Sequence, residues 1–268
     1  MSGPRKPYDG LTKQTKAGPQ WTGRVVLDEP TLRQPLSWKH PRRVFVNSMS
    51  DLFHESLSDE YISLVFAVMA LCPQHTFQVL TKRAERMRAY LDEMSGDPEA
   101  YCFAWARESF QIRGHMNETW PLPNVWLGVS VESSPFLNRL DELALTPAAV
   151  RFVSLEPLLA DVGSISRWVT RYGQGHTRIA GEDPLAGFTG VPLDWVIVGG
   201  ESGPSARPCH LDWIRSIIEQ CHAARVPVFC KQMGSVWARA NRADSKGGDM
   251  SFWPEYFHRR EFPNAARS

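Results

Sequence analysis

The stretch HTFQVLTKRAERMRAYLDEM (His75–Met94) carries two periods back to back. HTFQVLT is short, apolar and rich in strand-forming types, whereas AERMRAYLDEM repeats its apolar residues at helical spacing. Between them stand Thr81, Lys82 and Arg83, polar residues at the point where a strand hands over to a helix. The question for the rest of the chain is whether this handover recurs.

It recurs six times. RRVFVN, HTFQVLT, NVWLGVSVE, AVRFVSLE, DWVIVGGE and VPVFCKQ are short runs of Val, Phe, Ile and Leu, nearly continuous in the way of strands covered on both faces of a parallel sheet. Helix-like segments lie between them. Ser58, Asp59 and Glu60 read as an N-cap and acidic first turn for a helix reaching about Leu71. In SPFLNRLDELALT the residues Phe136, Leu137, Leu140, Leu143 and Ala144 share one face, and in LDWIRSIIEQCHAAR Trp213, Ile214, Ile217, Ile218 and Cys221 do. This alternation predicts right-handed βαβ units and a parallel sheet, either an open doubly wound sheet or a closed or partly closed barrel.

At 268 residues and 43% hydrophobic, the chain is long enough for one large core, and a single domain is expected over 1–268. Within it, residues 1–40 read as an extended, proline-punctuated arm, 41–234 as the core, 172–193 as a long loop before the fifth strand, and 235–268 as an irregular tail with aromatic anchors. Thirty Lys plus Arg nearly balance twenty-nine Asp plus Glu, so no overall field draws the chain to nucleic acid or an anionic membrane. Any such contact needs a local patch: Arg42 with Arg43, the run Lys82, Arg83, Arg86 and Arg88, or Arg259 with Arg260. Solvated helix faces are the plainer reading of each.

Five cysteines without C-x-x-C spacing argue against a disulfide framework and against a sequence-local zinc or iron–sulfur site. No metal held by this chain alone is expected. The longest apolar run, Leu64–Cys72, is far short of the roughly 20 residues that cross a bilayer, and the first residues lack a signal peptide's apolar segment. No membrane association and a cytoplasmic location are expected.

In a parallel sheet or barrel every C-terminal strand end lies on one face, where ligands bind. Six sets of polar residues converge there: Asn47, Ser48 and Asp51; Thr81, Lys82 and Arg83; Ser130 and Glu132; Ser154 and Glu156; Gly199, Gly200, Glu201 and Ser202; Lys231 and Gln232. Any one of them alone is more economically a cap or turn former; together they suggest a shared mouth. The glycines of GGESG allow a close backbone approach and a turn able to cradle an anion. Glu156, fixed by the following proline, is either an acid facing the mouth or half of a buried ion pair with Lys82 or Lys231.

Taken in order, VFVNSMSDLFHE, FQVLTKRAERM, VWLGVSVES, VRFVSLEPLL, WVIVGGESGPSARP and VFCKQMG resemble a phage- and bacterial-encoded family of unknown function, the phage gp thirty-seven/gp sixty-eight family, along nearly the whole chain. That family is similar to radical S-adenosylmethionine enzymes of the spore photoproduct lyase-like branch. The resemblance implies a partial (β/α) TIM-like barrel of about six parallel strands that lacks the first strand, with S-adenosylmethionine across the strand ends and a four-iron four-sulfur cluster at the mouth. It assigns Asn47, Ser48, Asp51, Thr81, Lys82, Ser130 and Glu132 to the cofactor. It places Glu156, Glu201 and Lys231 on the catalytic side, and Arg83, Gly199, Gly200, Arg207 and Gln232 on the substrate side.

Members of that family carry an N-terminal strand and a cysteine cluster ending in Cys-Tyr-Ala. Neither precedes MSGPRKPYDGLT here, and none of the five cysteines matches the cluster positions. Since three thiolates hold such a cluster, it is expected only from a missing segment or from a cluster-bearing protein partner, unless the barrel is degenerate. A barrel lacking that strand is also expected to leave a strand edge exposed. The expected roles are therefore radical S-adenosylmethionine-like modification or repair of a nucleic acid or nucleotide, a non-catalytic nucleotide- or protein-binding module, or a metal-independent barrel hydrolase using Glu156 or Glu201 as base.

Overall fold

In a computed structural model, which describes residues 10–15, 18–110, 118–170 and 190–263, the handover seen at His75–Met94 organises the chain. A hairpin of β1 (Thr12–Thr15) and β2 (Gly18–Trp21) leads into the short α1 (Glu29–Arg33) and then β3 (Arg43–Val46). After β3 come α2 (Asp59–Ala70), β4 (Thr76–Thr81), α3 (Ala84–Gly96), α4 (Ala104–Phe110) and β5 (Val125–Ser130). The remaining elements are α5 (Asn138–Leu145), β6 (Val150–Leu155), α6 (Ser166–Val169), β7 (Trp195–Val198), α7 (Leu211–Ala223), β8 (Val228–Cys230) and α8 (Ser235–Asn241). Strands β3 to β8 form one sheet in sequential order, every pair parallel, curled into a half-barrel of the partial TIM type. Of the two architectures the strand and helix order allowed, it is the partly closed barrel.

Alternation along each strand divides its side chains between two cores. Val79 of β4, Leu127 of β5, Val153 of β6, Val196 of β7 and Val228 of β8 face the helices and belong to the main apolar cluster. On the concave face Trp126, Val150, Phe152 and Trp195 form a second cluster, flanked by Leu80, Ile197 and Phe229. Covered on both faces, β5 and β6 are buried at all six positions, whereas β3, at the edge, exposes every second residue. Gly128 is required here: a Cβ would stand 2.5 Å from the Phe152 ring.

The helices follow the expected stripes. On α7, Ile214, Ile217, Ile218 and Cys221 are buried, each apolar side chain contributing about 1.5–3 kcal/mol by leaving water. On α5 the buried set is Leu140, Leu143 and Ala144, with Phe136 exposed in a preceding 3-10 turn. Ser58 holds the N-cap position of α2 with an extended backbone but makes no side-chain capping hydrogen bond.

Two expectations need correction. Residues 1–40 are not simply an extended arm, since they contain the hairpin and α1. The tail is not irregular throughout, because Ser235–Asn241 is helical and its neighbours hold Trp253 and Phe257 as buried anchors. The α4 segment was legible neither as strand nor as helix. Of the expected loop 172–193, all but residues 190–193 lie outside the described residues.

The far edge of the sheet is covered. Cys230 N–H donates to Arg259 O (2.7 Å) and Glu261 N–H to Val228 O (3.1 Å), so the tail runs antiparallel along β8. At the other edge β3 pairs only with β4 among the described residues.

Candidate functional site

The concave face encloses a cavity of about 580 Å³, within the size range of small-molecule sites. Its walls are aromatic: Phe45 from β3, Trp195 from β7, Phe229 from β8 and Phe262 from the tail. Trp195 is the hub, with ring centroids 6.0 Å from Phe229 and 5.2 Å from Phe262, and its indole N–H donates to Glu261 O (2.8 Å). Phe262 thus enters the barrel from below, and Arg43 on the opposite edge strand lays its guanidinium 3.9 Å from that ring's centroid.

At the strand C-termini the wall turns polar. Lys231 Nζ lies 3.1 Å from both Glu156 carboxylate oxygens, joining the ends of β6 and β8 across β7. Of the two partners considered for Glu156, Lys231 is the one it meets. Burial raises the Glu156 pKa above the ordinary carboxylate value, with the Lys231 charge opposing.

Glu201, also in the wall, goes the other way. Arg207 donates from Nε (2.9 Å), Nη2 (2.7 Å) and its backbone N–H (2.7 Å), and these bonds hold the Glu201 pKa at about 2. Two carboxylates in one cavity are therefore split, one biased toward its acid form and one locked as an anion.

Seven of the strand-end residues singled out in the sequence line the cavity: Ser154, Glu156, Gly200, Glu201, Ser202, Lys231 and Gln232. Arg207 stands behind Glu201. The glycines of GGESG serve the fold more than a ligand: a Cβ on Gly200 would meet Met233 O at 2.4 Å, and one on Gly199 would meet Gln232 O at 3.0 Å. Gln232 closes the same junction, its amide donating to Gly200 O (2.8 Å).

The residues assigned to the cofactor gather in two polar clusters beside the cavity instead of lining it. Asp51 accepts from Phe53 N–H (3.0 Å) and Thr81 Oγ1–H (2.7 Å) on one oxygen, and from Lys82 N–H (3.1 Å) and Arg83 Nη1 (3.0 Å) on the other. All its strong acceptor positions are filled by protein. Arg83 also pairs with Glu55 (2.7 Å), and Arg86 donates to the carbonyls of Phe53, His54 and Leu57. Asn47, at φ 55°, makes the turn out of β3, a left-handed conformation that Asn tolerates. Ser48 is exposed beside it.

The second cluster centres on Glu132, buried between Lys82 and Arg139, with Arg139 also donating to Ser130 O (2.7 Å). Ser130 is buried and in register with Ser154. Asp51, Thr81 and Arg83 latch the loop after β3 to the end of β4, and Glu132 is a neutralised buried acid.

Sequence reading missed the cavity's aromatic wall. The signal was present in the alternation: VFV, DWV and VFC each place one ring out of phase with the helix-facing valines. Continuous apolar runs hide which phase faces inward.

Among the described residues no three His, Cys, Asp or Glu side chains are grouped to hold a metal ion. Burial pushes the thiol of Cys72 up to about 11 and those of Cys102, Cys209 and Cys230 to about 12, with Cys221 also raised. Among the described residues no helix is long and apolar enough to cross a membrane.

No curated protein and no solved structure matches this chain. A family model does, over residues 5–256, so the chain belongs to a protein family of unknown function, DUF5131.

Proposed function

We propose that the half-barrel binds a nucleoside-type ligand, S-adenosylmethionine or a nucleotide, in its concave cavity, as part of the modification or repair of a nucleic acid or nucleotide. The observation that carries this is the pairing of a ring-lined cavity with a charged mouth. Phe45, with the partly exposed Phe229 and Phe262, offers ring surface to a heterocycle or a sulfonium cation, and the buried Trp195 packs behind them. Glu156 and Lys231 offer opposite charges where the strands end. An adenosyl sulfonium with a zwitterionic amino-acid end matches that set, so the residues present fit S-adenosylmethionine.

They do not fit a four-iron four-sulfur cluster, which needs a group of three thiolates. Four of the five thiols are buried and Cys209 is half-buried, burial biases all five toward their protonated forms, and among the described residues no three of them group together, so no step is derived through a cluster. Calorimetric titration with S-adenosylmethionine, S-adenosylhomocysteine and ATP tests the reading. Saturable binding of at least one supports it, and absence of heat with all three refutes it.

A second reading, proton transfer without a metal, is favoured by the split between Glu156 and Glu201. A carboxyl with a raised pKa in a partly dry site suits a general acid or base, while an anion fixed by an arginine suits orientation of substrate. Turnover that survives iron chelation and oxygen, is lost in Glu156→Gln and persists in Glu201→Gln would select it. Loss in both variants alike would reject the division of roles.

A further inference from the structure

Phe45, Leu80, Trp195, Ile197 and Phe229 line the body of the cavity, and set among these apolar side chains are the Gln78 amide and the Ser154 hydroxyl. Strand alternation aims both inward. Gln78 stands two residues before Leu80 on β4, and Ser154 two after Phe152 on β6, and Leu80 and Phe152 both belong to the concave face. Gln78 is half-buried and Ser154 is 4% exposed. Among the described residues neither side chain makes a hydrogen bond. The other long polar groups of the wall are engaged: Glu156 with Lys231, Glu201 with Arg207, and Gln232 with Gly200 O. A polar group drawn out of water without a protein partner is a cost to the fold. The cavity is the side from which a partner can reach these two.

They lie at different depths. Gln78 is in register with Phe45 on one side and Trp126 on the other, three residues short of the end of β4. Trp126 is in turn in register with Val150, so Ser154 stands four residues, about 13 Å along the strand, nearer the mouth. Two residues beyond Ser154 comes Glu156, held by Lys231. From floor to mouth the cavity thus offers an amide beside a ring, then a hydroxyl, then an ion pair. A nucleoside has the same order, in its base, its sugar hydroxyls and its 5′ substituent.

On the reading that the cavity takes a nucleoside-type ligand, we infer that Gln78 is its specificity residue and selects adenine, with Ser154 bonding a sugar hydroxyl and the 5′ end directed to the Glu156–Lys231 pair. A primary amide presents a donor beside an acceptor, which pairs with the 6-amino group of adenine and the ring nitrogen next to it. Guanine, cytosine and uracil each carry a further exocyclic amino or carbonyl group. Beside Gln78 stand Phe45, Leu80 and Trp195, and the Trp195 indole N–H is already given to Glu261 O, so that further group goes unpaired and the base is disfavoured. The Phe45 ring, 44% exposed and in register with Gln78, gives the adenine a face to stack on.

Calorimetric titration with adenosine and with purine riboside, which lacks only the 6-amino group, tests the assignment. The parent protein binds adenosine more tightly by about 2- to 12-fold, the range for one neutral hydrogen bond. In Gln78→Leu, which extends the apolar wall with a side chain of similar size, the two nucleosides bind about equally. Ser154→Ala weakens both by a like factor of about 2- to 12-fold and leaves their ratio as in the parent. Circular dichroism matches the folded content of the three proteins, and the comparison of the two nucleosides on the parent needs no variant.

Equal affinity of the parent for adenosine and purine riboside, or a ratio that survives Gln78→Leu, overturns the assignment and spares the cavity. Binding of S-adenosylmethionine without binding of adenosine also overturns it, since recognition then lies at the charged end. No heat with S-adenosylmethionine, ATP or either nucleoside removes the cavity reading and the assignment together.

Discussion

Replacing Asp51 by Ala separates a structural latch from a ligand contact. Its carboxylate is 15% exposed and receives four hydrogen bonds, from Phe53 N–H, Thr81 Oγ1–H, Lys82 N–H and Arg83. Without it, the Thr81 hydroxyl (2% exposed) and the Phe53 N–H lose their acceptor in a region closed to water, at about 1–3 kcal/mol each. The two bonds on the other oxygen are nearer solvent, and the four losses are not additive. A net cost of about 3 kcal/mol is expected for Asp51→Ala. Asp51→Asn keeps the oxygen facing Thr81 and Phe53 but turns an amide donor toward Lys82 N–H and Arg83, for about 1.5 kcal/mol. With an m value of about 3 kcal/mol/M in urea, the midpoints fall by about 1 M and about 0.5 M. Circular dichroism across the transition reads both. If Asp51→Ala unfolds within about 0.5 kcal/mol of the parent while ligand affinity collapses, the latch assignment is wrong and Asp51 belongs to the ligand.

Three further outcomes follow from named contacts. Gly128→Ala drives a methyl into the Phe152 ring and costs about 1–3 kcal/mol, visible as a lower melting temperature with the ring displaced toward the cavity. Gly200→Ala meets the fixed carbonyl of Met233 and destabilises more than Gly128→Ala, a ranking that thermal melts of the pair decide. Because burial raises the Glu156 pKa in the folded chain, its contribution to stability is fully present below the ordinary carboxylate range and is lost as pH rises through the raised value. Urea midpoints from about pH 4 to about pH 8 should therefore show a decline that Glu156→Gln removes and Lys231→Met enlarges, and an unchanged profile in both variants would contradict the burial account.

Strand order, parallel pairing and the main helical stripes were legible because each rests on local periodicity, as in the phase change after Leu80. What the periodicity left open was curl: an open sheet and a half-barrel share one βα order, and only the concave cluster around Trp195 and Phe152 distinguishes them. The charged mouth was half legible. Glu156 and Lys231 meet there, but Asp51 and Glu132 look equally exposed in a linear reading and are in fact consumed by Thr81, Arg83, Lys82 and Arg139. Thr81 and Arg83 lie 30 and 32 residues from Asp51, beyond any local signal. Phe262 is the extreme case, because its place under Trp195 depends on the tail returning along β8.

The account stands or falls on whether the concave cavity is a binding site. Ile197 sits in its wall two residues beyond Trp195 on β7, so Ile197→Trp fills it from a strand whose helix-facing side is untouched. The direct measurement is calorimetric titration of parent and Ile197→Trp with S-adenosylmethionine and ATP, at matched folded content by circular dichroism. The account predicts saturable heat with the parent and none with the filled variant. Binding of equal strength by both would place the site elsewhere and contradict it.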